Sequence, residues 1–356
     1  MQKEPSVSVI IANHNYGRYI GECIESVLAQ SHKNIEVYIS DNASTDMSWE
    51  VINSFDKKFP GKFSIAKNNR NKGAQFNYRT WFSQISSDYR ITLTSDDILD
   101  VNYVKRSVEL LEKHKECAFL ITHQSSVAEN GTSSTLKPFF NQSCILFPPG
   151  LSLLYMVASV NPTLSQVVYR VPRTPYDQRV PLSEEGPYRE FFRARVNDFL
   201  LSLHNPVIYL NEPLVKHRVH NQMHTVTAEK YMMNIMGAYG LAFEFLDYVR
   251  IRAPEYLEKF EEQLPMAIKK HAFTALRYCT RFIIDKEPEL AEQYLLLARS
   301  IDPSIRRGEV AKKLEEILSE TDSKKKISKL EILKRTPDLI TRTISYDPPQ
   351  PFKAIE

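Results

Sequence analysis

The sequence predicts an α/β fold, with a mostly parallel, Rossmann-like central sheet flanked by helices and an α-helical C-terminal extension. Three features carry that reading. Residues 7–122 alternate short β-branched runs with amphipathic segments, the pattern of βαβ units. Those runs end in polar residues, as strands do where a parallel sheet opens onto a ligand crevice. Beyond about residue 225 the apolar spacing is helical throughout.

The elements follow in order. Val7 to Ile11 is β-branched except at Ser8 and reads as a core strand. Ile20, Cys23, Ile24, Val27 and Leu28 recur at helical spacing and form one stripe to lie on the sheet. Ile35 to Ser40 is a second strand, Asp41 to Ser44 a turn, and Asp46 is placed to cap a helix burying Trp49, Ile52 and Phe55. Further strands are expected at Phe63 to Lys67, Tyr89 to Thr94 and Cys117 to Thr122. Between the last two, Asp100 can cap a helix with Val101, Val104, Val108 and Leu111 inward. Residues 123–150 are polar, then Pro-rich, and read as a loop or short antiparallel strands. Apolar stretches follow at Leu151 to Val160 and Ser165 to Tyr169. Residues 172–188, rich in Pro and charge, read as a mobile loop before a helix from about Tyr188 and a short strand, Val207 to Leu210. Lys324 to Arg335 is basic, and Asp347 to Phe352 (DPPQPF) is a tail that should lie extended. The expected domains are 1–224, with halves 1–122 and 123–224, and a helical region 225–356.

Composition bounds the function. A chain of 356 residues, 42% hydrophobic and 25% charged, buries a large core and is not disordered. Its net charge of +3 is too near neutral for a nucleic-acid polycation, and no apolar run approaches the ~18 residues of a membrane span. Cys23, Cys117, Cys144 and Cys279 are far apart without a CxxC pair, which fits a reducing compartment. The apolar run after the N-terminal MQKEP is too short for a signal peptide, so a cytoplasmic location is expected.

Strand ends are where chemistry is sought first. The first offers Ala12, Asn13, His14 and Asn15, the second Asp41 to Ser44, a later one Ser95, Asp96 and Asp97. No GxGxxG or GxxxxGK[ST] follows the first strand, which argues against a dinucleotide or P-loop site. Asp96 and Asp97, adjacent at the end of an apolar strand, either share a hard divalent cation bridging diphosphate oxygens or cap a turn before Asp100.

In that order along the chain, VSVIIANHN, EVYISDNASTD, NRNKG and YRITLTSDDIL resemble the nucleotide-sugar-binding half of family 2 glycosyltransferases, which have the GT-A fold. RVNDFLLSL and VIYLNEPLVKHRVH are similar to the family's second half, so the resemblance runs from about residue 7 to 222. Ala12 replaces the family's proline, Thr94 the first acid of DxDD, and Asn197 a glutamate. The resemblance implies an inverting transfer of sugar from a nucleoside diphosphate, most often UDP, to a glycan or lipid-linked acceptor in bacterial surface polysaccharide synthesis. It implies a nucleotide site of Ala12, Asn13, Asn15, Asp41, Lys72, Gly73, Thr94, Ser95 and Asp96. A Mn²⁺ or Mg²⁺ ion would rest on Asp96, Asp97 and His220, and Asp198 would be the general base. Read without the family, Asp41 caps the turn, Asp198 is a helix acid and His220 a surface residue equally well. The rivals are a GT-A-fold scaffold protein and, less favoured, a nucleotidyltransferase, for which the first loop lacks glycines. Ile268 to Arg281, basic and amphipathic, could lie on the inner face of the cell membrane, or pack as a core helix with solvated cations. The sequence leaves oligomeric state open.

Overall fold

The computed structural model describes residues 4–171, 187–221, 223, 228–321, 325, 328–329 and 347–355. The expected mobile loop, with Glu184 and Glu185, falls outside them at 172–186, as does most of the basic stretch 324–335. Among the described residues eleven strands form one sheet: β1 (Val7–Asn13), β2 (Ile35–Asp41), β3 (Phe63–Lys67), β4 (Tyr89–Thr94), β5 (Ile98–Leu99), β6 (Phe119–Ala128), β7 (Ser133–Thr135), β8 (Cys144–Leu146), β9 (Val167–Arg170), β10 (Val207–Val219) and β11 (Phe352–Ala354). The helices are α1 (Ile20–Leu28), α2 (Ser48–Lys58), α3 (Ala74–Arg79), α4 (Tyr103–Lys113), α5 (Gly150–Met156), α6 (Pro187–His204), α7 (Met233–Arg252), α8 (Leu257–Ile284), α9 (Pro288–Ile301) and α10 (Glu309–Ser319).

Along the sheet the order is β11-β8-β10-β6-β9-β4-β1-β2-β3. β4, β1, β2 and β3 run parallel, as do β6 and β10, while β9 runs antiparallel between β4 and β6. This is the α/β class the sequence predicts, and it sets the carboxyl ends of β1, β2 and β4 side by side: Ala12 is level with Ser40 and Thr94, and Asn13 with Asp41. Val7, Val9 and Ile11 pack with Ile20, Cys23, Ile24 and Val27 of α1 and Val104, Val108 and Leu111 of α4 in one buried cluster.

Four expectations shift. α4 begins at Tyr103, so Val101 stays in the preceding turn and is exposed; Asp100 Oδ1 accepts the Asn102 N–H at 2.9 Å there. β6 runs on to Ala128. β10 spans 13 residues rather than four, because Asn211 to Leu214 is absorbed as register shifts against β6 and pairing resumes at Val215. The Pro-rich tail is extended and also joins the sheet, Phe352–Ala354 pairing with β8.

Two compact units emerge: Met1–Leu151 with Pro162–His220 and Ser345–Glu356, and Ser152–Asn161 with Asn221–Ile344. The second is built from α7 to α10 around Ala272, Ala275, Leu276, Cys279, Tyr294 and Leu314. Ala272 and Leu276, the apolar residues that made Ile268 to Arg281 look membrane-seeking, are spent in this core; Phe273 alone among them is exposed.

Candidate functional site at the carboxyl ends of the parallel strands

Three loops meet where β1, β2 and β4 end, and polar side chains bolt them together. Asn13, buried at the end of β1, donates from Nδ2 to Asp41 Oδ1 at 2.9 Å and to Ser44 Oγ at 3.2 Å. Asp41 also accepts the Ser44 hydroxyl on Oδ1 at 2.5 Å and the Ser44 N–H on Oδ2 at 3.0 Å, so it braces the DNAS turn. That turn needs Ala43 at φ 58°, a left-handed conformation unusual for alanine. Asn15, at φ 58°, accepts the Thr45 N–H on Oδ1 at 2.8 Å and donates its own N–H to Ser44 Oγ at 2.9 Å. Gly17 follows, where a Cβ would meet Met47 and the Ser48 nitrogen at 2.7 Å, and its N–H reaches Asp46 Oδ2 at 2.8 Å.

The NRNKG loop is held by two asparagines. Asn42 Oδ1 accepts the Lys72 N–H at 3.0 Å, and Asn42 Nδ2 donates to Asn71 Oδ1 at 2.7 Å and to the Gly73 carbonyl at 3.2 Å. Gly73 has φ 85°, the left-handed side that glycine adopts freely before α3. The Lys72 ammonium lies 4.4 Å from the centre of the Phe76 ring. On α3, Asn77 is buried, its Nδ2 donating to the carbonyls of Asn13 and Ser40 at 3.1 and 3.2 Å.

At the end of β4 the two aspartates part company. Asp97 is wholly buried: Thr94 Oγ1 donates to Oδ2 at 2.7 Å, and His217 Nδ1 and the Arg218 N–H meet Oδ1 at 3.0 and 3.1 Å. Burial alone would raise its carboxyl, yet the His217 hydrogen bond and charge, with Ser165 and Thr94, hold it below the usual range. Asp96 instead faces His220, Oδ2 and Nε2 lying 3.1 Å apart. Arg218 fixes the Asp96 main chain through an Nε donation to its carbonyl at 3.0 Å, pairs with Glu22, and lies over Tyr19. Tyr16 and Tyr19 pack on the His220 ring with centroids 5.2 and 4.8 Å away. Tyr78 belongs to the same neighbourhood, its hydroxyl pushed up first by burial and then by the Asp96 charge.

Thus Ala12, Asn13, Asn15, Asp41, Lys72, Gly73, Thr94, Ser95 and Asp96 are gathered at one edge of the sheet, and His220 joins Asp96 there. The expected ligand triad is not formed as such. Among the described residues no three His, Cys, Asp or Glu side chains gather as a metal site, since the Asp97 oxygens are already taken by protein donors. Thr94, expected in the nucleotide site, turns its hydroxyl to Asp97 and Ser165. Asp198 lies buried on α6 and accepts from the Tyr169 hydroxyl at 2.5 Å; Tyr169 is level with Arg90, at the amino end of β4. Tyr169 therefore lies toward the opposite end of that strand from Asp96. His217, Arg218, Ser165, Tyr16 and Tyr78 are the residues sequence reasoning passed over. The signal for the first two was at hand in KHRVH, had the strand been carried through Pro213.

Residues 8–155 match the family model described as glycosyl transferase family 2. That stretch is similar to family 2 glycosyltransferases. The chain is 37% identical across 107 residues to an uncharacterised glycosyltransferase of Nostoc sp., covering 30% of this chain and 33% of that one. It is 33% identical across 109 residues to the Escherichia coli UDP-Glc:alpha-D-GlcNAc-diphosphoundecaprenol beta-1,3-glucosyltransferase WfaP, covering 31% of this chain and 42% of the other. The chain thus spans less than half the length of either relative. Among solved structures, residues 1–349 of Staphylococcus aureus TarS in complex with UDP-GlcNAc superpose with a TM-score of 0.49 at 16% identity, over 85% of this chain and 92% of that one.

Proposed function

We propose that this chain is an inverting, metal-dependent glycosyltransferase that moves a sugar from a nucleoside-diphosphate sugar, a UDP-sugar first among them, to a hydroxyl of a glycan or lipid-linked acceptor. The observation that carries the reading is the Asp96–His220 pair, joined at 3.1 Å at the carboxyl edge of the parallel strands, with Asp96 inside the stretch that matches the family 2 model. Two ligands held cis on an octahedral cation at about 2.1 Å stand about 3 Å apart, so the pair fits two positions of a Mn²⁺ or Mg²⁺ ion. Asp96 and His220 would hold it, diphosphate oxygens and water supplying the rest, and once bound it would stabilise the negative charge of the leaving diphosphate.

The chain's own residues do the positioning. Arg218 and Asp97 lock the segment that presents Asp96, while the aromatic faces of Tyr16 and Tyr19 fix the His220 ring. Asp41 would accept from a pyrimidine N3–H, with Lys72 and Gly73 beside the nucleotide. Asp198 is the acid assigned to take the proton from the acceptor hydroxyl in a single inverting displacement. The donor and acceptor in the name of the E. coli relative support a UDP-sugar and a lipid-linked acceptor; the inner membrane face and surface polysaccharide synthesis are the setting that the family resemblance implies.

Titration calorimetry with UDP, GDP and dTDP, each with Mn²⁺ and with EDTA, tests this. Manganese-dependent binding of one diphosphate is the expected result; no binding by folded protein would turn the reading to a scaffold that keeps the fold.

A further inference from the structure

The register of the sheet brings a hairpin turn beside His220. β6 and β10 run parallel, and their pairing ends with Ala128 level with Val219, so the residues that follow, Glu129 and His220, leave the sheet at neighbouring places. Glu129 opens the turn to β7. There the Gly131 N–H donates to the Ala128 carbonyl at 2.9 Å, the Ala128 N–H to the Thr132 carbonyl at 2.9 Å, and the Thr132 N–H to Asn130 Oδ1 at 3.0 Å. These bonds make the turn a firm base for the Glu129 carboxylate.

Glu129 Oε1 accepts the Tyr19 hydroxyl at 2.9 Å and a donation from Arg18 Nη1 at 3.3 Å. The two bonds differ in worth. Arg18 is exposed and water screens its ion pair, whereas Tyr19 is buried and its phenol donates to a charged acceptor. The other end of Tyr19 is also tied, its N–H donating to the Tyr16 carbonyl at 2.9 Å just before α1. The ring between these ties touches both sides of the candidate metal pair. The His220 ring lies 4.8 Å from it, tilted by 38°, and the Arg218 guanidinium, which holds the Asp96 carbonyl, lies 5.0 Å from it. A hydrogen bond at the tip of the phenol fixes where the ring stands, and so fixes the face on which His220 packs.

We infer that Glu129, on the turn between β6 and β7, is a positioning residue: through Tyr19 it sets the His220 ring beside Asp96 in the orientation a divalent cation needs. This rests on the metal reading of the Asp96–His220 pair above. Glu129 acts only through Tyr19 and takes no part in the transfer itself.

The test pairs two measurements on the full chain. Proton–carbon spectra of histidine-labelled, metal-free protein, with the His220 ring signal identified by its loss in His220→Gln, report how that ring packs, because the tyrosine rings beside it shift its signal. Calorimetry with UDP, in Mn²⁺ and in EDTA, then measures the site. Glu129→Ala and Tyr19→Phe should each move the His220 signal and weaken manganese-dependent UDP binding about tenfold. The double variant should lose no more than either alone, because both changes break the same bond. Glu129→Gln, whose amide oxygen still accepts the phenol, should keep the native signal and an affinity within a few-fold of native. An unmoved His220 signal in Glu129→Ala, or an equal loss in Glu129→Gln, overturns the positioning role; a moved signal beside native affinity overturns its bearing on the metal. No manganese-dependent binding by native protein overturns the metal reading instead, and the His220 signal then still decides whether Glu129 holds that ring.

Discussion

Asp97 accepts hydrogen bonds from Thr94, His217 and the Arg218 N–H, which occupy three of the roughly four lone-pair sites of its carboxylate. Thr94 occupies the place of an acid; a carboxylate there would face Asp97 across the 2.7 Å now filled by a hydroxyl donor. Because its folded carboxyl is depressed, Asp97 contributes stability that is whole above the ordinary carboxylate range and is lost as pH falls through its folded value. Asp97→Asn should therefore lower stability at neutral pH by about 3 kcal/mol and flatten the acid limb of the stability curve below pH ~4, as urea midpoints across pH would show. Asp96→Asn should behave differently, abolishing manganese-dependent diphosphate binding in calorimetry with the urea midpoint little changed. For Asp198 two variants separate chemistry from architecture. If it is the base, Asp198→Asn loses turnover by about 10² or more and keeps nucleotide affinity, while Tyr169→Phe, which removes the 2.5 Å hydrogen bond, stays active. Equal losses in both, tracking melting temperature, would assign Asp198 to holding α6 on the sheet.

β10 decides how the elements combine. Its first four residues were legible as an apolar run, but its functional end, Lys216 to Val219, depends on a strand that survives Asn211 to Leu214 by shifting register against β6. Only that continuation brings His217 and Arg218 beside the end of β4. α8 teaches the opposite lesson. Its basic, amphipathic sequence fits a membrane surface or a core helix equally well, and tertiary packing settles the use of Ala272 and Leu276. Co-sedimentation with anionic vesicles should accordingly be unchanged by reversing the charges of Lys269 and Arg277, since the apolar area needed for insertion is buried. α1 and α4 were read well, because each buries a stripe on one sheet face; the error at Val101 came from starting α4 two residues early at a turn closed by Asp100.

Across the whole molecule the four cysteines are buried, Cys117, Cys144 and Cys279 with thiols pushed up to about 12 by burial and Cys23 well above its usual value for the same reason. Iodoacetamide should therefore label none of them in native protein and all four in urea, counted by intact mass. The α/β class, the order of the parallel strands' sequences, the helical C-terminal region and the identity of the strand-end residues were determined by the sequence by itself, because periodicity and turn chemistry are local and repeat every few residues. What only the tertiary structure decided is which polar group each of those residues faces. Asp96 and Asp97 are neighbours in sequence with the same side chain, and they differ because backbone direction at the end of β4 aims one at His220 and the other at Thr94, His217 and the Arg218 N–H. His14 read as one polar residue among several, and its Nε2 meets Asn71, 57 positions away, at 3.1 Å. Hydrogen-bond direction is a property of partners brought together from distant segments, so no local pattern encodes it.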